Sequence, residues 1–496
     1  MAAPLVAVLD VGKTNTRLVL LDSETGLEVW QQQRPQPRPP HAAPPHAAPP
    51  HAAPPHTAPP HAAPPHTAPA HAAPPITPAG HESQLRSLDL QGIWNWLTAT
   101  LRSAPDKDRI EAIVPVAHGA AAVLLDTGGE VIWAPDYEDP QFETVGDEYE
   151  THRDSFRQTL SPRLPLGLNL GRQLFFLQNH CTADFRRVAH VLLYPQYWAW
   201  RLSGTLASEV TSLGCHTDLW WPRRKCLSNL TRHQGWAAKL PPTRFAGDTL
   251  GRVAAAAVAA TGLRPECRVV CGIHDSNASY LQPLLRWRDQ PFAVVSSGTW
   301  TVVMANKADT GLLDPNADML ANVDAFGSPV CTARFMGGRE YEAIASTRVQ
   351  PSREGLEAVL RRGSMALPSF AAAGPFAGRP GGLVQEENLG DADRAALASA
   401  YVALMADLLI ETLQVSGDVL IDGPLARNPL FGGLLAAWRP MNRIVIENPA
   451  SSRGAALCHL AGFGAVPVPE TLPVNALQLD GLEAYRAAWR ECVLGG

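Results

Sequence analysis

The chain has 496 residues, enough for two or three domains that each bury a core. Its 41 Lys and Arg against 47 Asp and Glu give a formal net charge of −6, so no basic field points to nucleic acid. No basic segment precedes an apolar one at the start, and no apolar run approaches a membrane span; a soluble, cytoplasmic protein with no membrane partner is expected.

Apolar residues 5–9, a turn through Asp10-Val11-Gly12-Lys13-Thr14-Asn15-Thr16-Arg17, and apolar residues 18–21 predict a β-hairpin. A strand near 27–33 and a helix near 84–101 follow, split by a pentapeptide repeat of the His-Ala-Ala-Pro-Pro type over 41–75. Proline at that density forbids helix and ladder pairing, so a disordered His/Pro-rich insertion at about 35–80 is expected. A neutral expansion in a surface loop is the simpler account of it; a metal or partner tether is the alternative. Strands are predicted at 110–116, 121–125 and 131–133, with helices near 151–158, 172–179 and 194–202. Pro241-Pro242 and Ala246-Gly247 read as a domain junction. A new alternation of strand and helix begins at Arg268. It includes a second hairpin, with strands at 292–295 and 302–304 around Ser296-Ser297-Gly298-Thr299-Trp300. Then come a helix at 398–413, a strand at 419–421, a helix at 429–437, a strand at 444–446 and helices from 452 to the end. The eight Cys form no Cys-x-x-Cys pair and read as reduced thiols. Strands followed by helices in both halves argue for two α/β domains, 1–245 and 246–496.

Gly12-Lys13-Thr14 invites a P-loop reading, but Ala7 stands where that motif needs its first Gly, and a strand pattern follows instead of a helix. The turn has two readings. It is a phosphate-binding bend whose Asp10 holds a hydrated magnesium ion, or a plain tight turn with Asp as turn former. In 269–278 a short apolar strand ends at Gly272, and a helix starts near Asp275. Asp275 is a helix N-cap or a catalytic base kept anionic by the helix dipole. His274 beside it reads first as a local packing residue and second as a substrate contact. Residues 419–424 with Arg427-Asn428 place a glycine turn at the carboxyl end of a buried strand, where open α/β sheets bind ligands. Asp136, Tyr137 and Glu138 combine carboxylates and a ring, which suit a hydroxyl-rich ligand, whereas the acids at 143–150 read as a solvated face.

Taken together these segments resemble the FGGY carbohydrate kinases of the actin-like ATPase superfamily, nearest in appearance to the rhamnulokinase branch. Residues 10–16 match that family's first phosphate motif, Ser297-Gly298-Thr299 its second, 272–278 its catalytic segment and 422–428 its adenosine motif, although Pro424 stands where Gly is usual. The resemblance implies two ribonuclease-H-like domains separated by a cleft. It implies ATP and Mg2+ as cofactors, with Asp10, Gly12, Lys13, Thr14, Asn15, Ser297, Gly298, Thr299, Asp422, Gly423 and Asn428 binding the nucleotide and Asp10 serving the metal. His118, Asp136, Tyr137, Glu138 and His274 would bind a ketose such as rhamnulose, fuculose or xylulose, and Asp275 would act as general base. A catalytically silent sugar-binding regulator on the same fold is the alternative. The expected partner is a small-molecule sugar, with a homodimer as the expected assembly.

Overall fold

The structure is a computed structural model that describes residues 2–36, 85–287, 289–345, 349–447, 454–464 and 470–495. The His/Pro insertion lies outside the described residues from 37 onward.

The hairpin predicted at the start is present. Strand β1 (Leu5–Val11) pairs antiparallel with β2 (Asn15–Asp22), and β2 with β3 (Glu28–Pro35). On its other edge β1 lies parallel to β4 (Ile110–Ala117). Beyond β4 come β5 (Thr249–Arg252), β6 (Arg268–Val270) and β7 (Ile273–His274), in the order β3-β2-β1-β4-β6-β5 with β7 also on β4. β1 and β4 are buried on both faces, as their unbroken apolar runs require.

The second sheet repeats this plan. β8 (Phe292–Ser297) and β9 (Thr301–Ala305) form the second predicted hairpin, and β10 (Met319–Val323) and β11 (Pro329–Phe335) extend it. β12 (Asp418–Asp422), β13 (Ile444–Glu447) and β14 (Thr471–Pro473) complete the order β10-β11-β9-β8-β12-β13-β14. An antiparallel run, of three strands in the first sheet and four in the second, leads into two parallel strands and closes on an antiparallel edge. Two α/β domains built on one topology are therefore present, and a cleft opens between them.

Several expectations are corrected. The change of sheet does not fall at 245/246. β5, β6 and β7 belong to the first sheet, and Thr243-Arg244 pairs with Ser208-Glu209 inside the same domain. The prolines at 241 and 242 mark an internal turn. The crossing is made by helix α1 (Asp275–Trp287), which leaves β7 and leads to β8. The tail is not all helical, since β14 caps the second sheet. The helix expected at 151–158 breaks into Gly146–His152 and Phe156–Thr159, because Arg153 is extended and Ser155 starts a new capping box. Among the described residues one helix, Asp391–Thr412, is long and apolar enough to cross a membrane by length and composition. Here most of it is buried inside the second domain. Its Asp407 is 1% exposed and satisfied by Arg439 and Arg486, as a buried carboxylate requires.

Candidate active site

β7 ends at His274 and α1 begins at Asp275, so the carboxylate stands at the strand–helix corner that faces the cleft. Gly272 makes this corner possible. Its φ is +90°, and a Cβ there would lie 2.4 Å from Pro115 O. Asp275 Oδ1 accepts hydrogen bonds from Ser276 N–H at 2.6 Å and Ser276 Oγ at 3.3 Å, and His274 Nε2, which is bonded to Cys215 Sγ at 3.3 Å, lies 3.1 Å away. Oδ2 has no hydrogen-bond partner among the described residues, and 38% of the side chain stays open. The two oxygens therefore differ, one anchored and one free. The helix dipole was expected to hold this group firmly anionic. Burial outweighs it and raises the Asp275 pKa, against the hydrogen bonds from Ser276. The result is a stronger base than an exposed aspartate.

Asp275 lines a cavity of about 740 Å³. The first domain lines it with Asp10, His118, Tyr137, Cys215, His216, His274 and Asp275, and the second with Ser296, Asn322 and Arg334. His118 packs tilted against Tyr194 at 4.9 Å and edge-on to Tyr137 at 5.8 Å. Its Nδ1 faces Gly119 O at 2.9 Å, and burial lowers its pKa, so the ring is neutral. Arg334 is fixed by Asp318 at 2.8 Å and by the Trp300 ring at 4.8 Å. The cavity thus brings together Asp10, His118, Tyr137, His274 and Asp275 of the expected site.

Asp136 and Glu138 do not line it. Lys13, expected on the nucleotide phosphates, instead pairs with Asp136 and lies 3.5 Å from Glu138 and 4.5 Å above the Tyr137 ring. Asp136 also accepts the Glu138 N–H at 2.9 Å. A nearly buried carboxylate needs a partner, and Lys13 is the cation within reach. Tyr137 alone of this trio lines the cavity, while the two carboxylates bind the first hairpin to the sugar-side segment. Asp10 carries a counter-ion as well: Arg17 reaches its Oδ2 at 2.6 and 3.2 Å. Burial still raises the Asp10 pKa, and the nearby Asp275 adds to the rise. Asp10 Oδ1 has no hydrogen bond among the described residues, so one hard oxygen is left for a hydrated magnesium ion that keeps most of its waters. No group of three or more His, Cys, Asp or Glu able to hold a metal occurs among the described residues. Gly12 N–H closes the turn onto Asn15 O at 2.9 Å, and Thr14 and Asn15 are exposed at its tip.

A second cavity, of about 670 Å³, is lined by Ser297, Gly298, Thr299, Thr301, Pro424, Leu425 and Asn428, so the second turn and the segment expected to hold adenosine share it. Ser297 joins them. Its hydroxyl donates to Asp422 O at 2.6 Å and accepts the Leu425 N–H at 2.9 Å. Gly423 must be glycine, because φ is +80° and a Cβ would lie 2.1 Å from Ser297 O. Pro424 opens a short 3-10 helix at a position that needs no N–H, so the departure from Gly is accommodated. Asp422 Oδ1 accepts the Gly423 N–H at 2.6 Å. Asn428 caps the next helix through Leu430 and Phe431 N–H and donates to Ser399, so it shapes the wall with both ends of its amide. These residues fit a polyphosphate: Thr301 Oγ1 is buried with no partner among the described residues, and a Cβ on Gly337 would fall 2.1 Å from it.

The reading by motif missed the helix Gly337–Ala345, whose Gly337, Gly338, Arg339 and Tyr341 line this second cavity. Met336-Gly-Gly-Arg directly after β11 was the available signal, a glycine pair between a strand and a helix. It also missed Arg17, Cys215, His216, Asn322 and Arg334, which become neighbours only when the sheets face each other.

The chain is similar to known carbohydrate kinases in sequence and fold. Residues 289–467 match the profile of the carbohydrate kinase FGGY C-terminal domain. A carbohydrate kinase from Novosphingobium aromaticivorans is 32% identical, with a TM-score of 0.84 and all of both chains covered. A rhamnulokinase from Pectobacterium carotovorum is 27% identical over 44% of this chain and 43% of its own, and a probable L-xylulose kinase from Pasteurella multocida is 26% identical over 43% and 46%. The chain thus spans less than half the length of these curated relatives. With one full-length relative above 30% identity and the second-domain profile in place, the chain belongs to the FGGY carbohydrate kinases.

Proposed function

We propose that the protein transfers the γ-phosphoryl group of ATP to a hydroxyl of a ketose of the rhamnulose, fuculose or xylulose type. The observation that carries this reading is the asymmetry of Asp275, a lining residue of the cavity between the two domains: Oδ1 is held by the N–H and hydroxyl of Ser276, and Oδ2 has no hydrogen-bond partner among the described residues. A sugar hydroxyl in that cavity gives its proton to Oδ2 as its oxygen forms the new bond to phosphorus. ATP supplies the transferable group; Asp10 would hold Mg2+, which would supply charge neutralisation to the phosphates. Ser297 and Gly423 fix the second turn against the segment that flanks the nucleotide. Gly298, Thr299 and the amino end of Gly337–Ala345 line the phosphate side with N–H and O–H donors. His118, His274 and Tyr137 line the sugar side. The eight free thiols support a reducing, cytoplasmic setting. A homodimer is part of the proposal and is checked by light scattering. The test of the function is an ADP-coupled assay across ketoses and polyols, repeated with Asp275→Asn. Sugar-dependent ADP release that vanishes in the variant, with ATP binding intact, supports the reading. Equal turnover in both removes Asp275 as the base.

A further inference from the structure

The segment Gly214–Asp218 presents two side chains, Cys215 and His216, to the same cavity, and no motif draws attention to it. His216 and Asp218 both sit in the left-handed region, with φ of +42° and +65°. His and Asp adopt that conformation more readily than most non-glycine residues, and the surrounding bonds hold it at a modest cost. Asp218 is buried and grips Tyr149 Oη at 2.7 Å and Arg153 at 2.8 Å. Gly171 N–H reaches Thr217 O at 2.9 Å, and Asn169 donates to His216 O at 3.1 Å. A buried ion pair and these hydrogen bonds therefore lock a strained loop whose product is the placement of His216.

The chemistry of that ring is also decided. Nδ1 lies 2.8 Å from Leu168 O, a carbonyl that can only accept, so Nδ1 carries the proton. Nε2 is left as a bare acceptor with no hydrogen-bond partner among the described residues. Burial and the nearby Arg334 lower the His216 pKa to about 4, so the ring is neutral and Nε2 keeps its lone pair at working pH. Its electrostatic neighbours Arg334 and His274 both line the cavity, which places the ring among them. An acceptor that cannot become a donor selects a hydroxyl.

Resting on the sugar-kinase reading above, we infer that His216 is a specificity residue that accepts a hydrogen bond from one hydroxyl of the sugar through Nε2. A site built to bond a hydroxyl rejects the analogue that lacks it far more strongly than an apolar wall rejects an extra methylene. The test compares wild type, His216→Phe and His216→Gln on L-rhamnulose, L-xylulose and D-xylulose in an ADP-coupled assay, with ATP KM measured alongside. Phe keeps the ring and loses the acceptor, whereas Gln puts an amide oxygen near Nε2. The inference expects a sugar KM raised at least 10-fold in His216→Phe, restored to within about 5-fold by Gln, and an ATP KM unchanged. Single-deoxy analogues of the best sugar provide a measurement on the wild-type protein, independent of how the variants fold. One deoxy position must lose at least 10-fold against wild type and little against whichever variant remains soluble. Turnover of a sugar with no deoxy position that behaves so, or with KM unchanged in His216→Phe, overturns the role of His216 and leaves the kinase reading standing. No sugar-dependent ADP release from wild type, and no thermal shift with any of the three sugars, overturns the kinase reading and this inference with it.

Discussion

Asn277 donates its side-chain amide to Nδ1 of His274 across 3.1 Å, one turn into the helix that begins at Asp275. An amide nitrogen can only donate, so Nδ1 is the acceptor and the imidazole proton sits on Nε2, which lies 3.3 Å from Cys215 Sγ and 3.1 Å from Asp275 Oδ1. Burial lowers the His274 pKa to about 4, so the ring is a neutral donor rather than a cation. Asn277 thus sets the tautomer that turns an N–H toward Cys215 and Asp275. Asn277→Asp reverses the bond and turns the proton to Nδ1. A fall in kcat of about 10- to 100-fold is expected, smaller than for loss of the base itself. Steady-state kinetics at saturating ATP checks it, and unchanged kcat removes the tautomer argument.

The pKa of Asp275 is raised by burial, and a general base at this position, as proposed, works ionised. Activity is therefore lost as pH falls through that raised value. The acid limb of kcat/KM should lie above the ordinary aspartate range near 3.9. A profile flat down to pH 4 contradicts this.

Lys13 distinguishes two roles for the first turn. If it serves phosphate, Lys13→Ala raises the KM for ATP. The structure ties it to Asp136, which is 7% exposed, and to Glu138. Its loss leaves a nearly buried carboxylate unpaired, so a destabilisation of about 1–3 kcal/mol and a raised sugar KM are expected. Chemical denaturation and a two-substrate kinetic analysis separate the outcomes.

Gly338 lies where the second turn meets the helix Gly337–Ala345, and a Cβ there would stand 2.2 Å from Gly298 O. Gly338→Ala must push the turn and helix apart. Weaker ATP binding, by about tenfold or more, is expected from a displacement on the ångström scale. Sugar binding by calorimetry should change little, because the first cavity lacks this residue.

Glu209 is fully buried and accepts from Thr211 and Ser212, and the Thr211 hydroxyl in turn receives the His274 N–H at 3.1 Å. Burial outweighs these donors and raises its pKa from 4.5 to about 7. The folded state therefore binds more protons than the unfolded state between those values. Its contribution to stability is full below pH 4.5 and is lost as pH rises through about 7. Glu209→Gln should abolish that decline, so the difference in Tm between wild type and variant should shift between pH 5 and pH 8. A constant difference excludes the linkage.

Both hairpins were legible because each is a local pattern: two apolar runs around a Gly and hydroxyl turn, with the strand period of two. Asp275 was legible for the same reason, as the first residue after a short buried strand. The fate of Lys13 was not, since Asp136 is 123 residues away and the pairing exists only once β1 and the 136–138 segment meet. The domain boundary was misplaced because Pro241-Pro242 has the composition of a linker, whereas β5, β6 and β7 reveal their sheet only by pairing near β4.

The sequence by itself determined the local elements, the two turns, the carboxylate between them and the absence of a strong charge field, because these depend on residues a few positions apart. Tertiary structure alone decided which oxygen of Asp275 is free, which cations Asp10 and Asp136 hold, and that His216 and Arg334 share a cavity with His118. Burial and partner identity set those outcomes, and both are properties of residues brought together from distant parts of the chain.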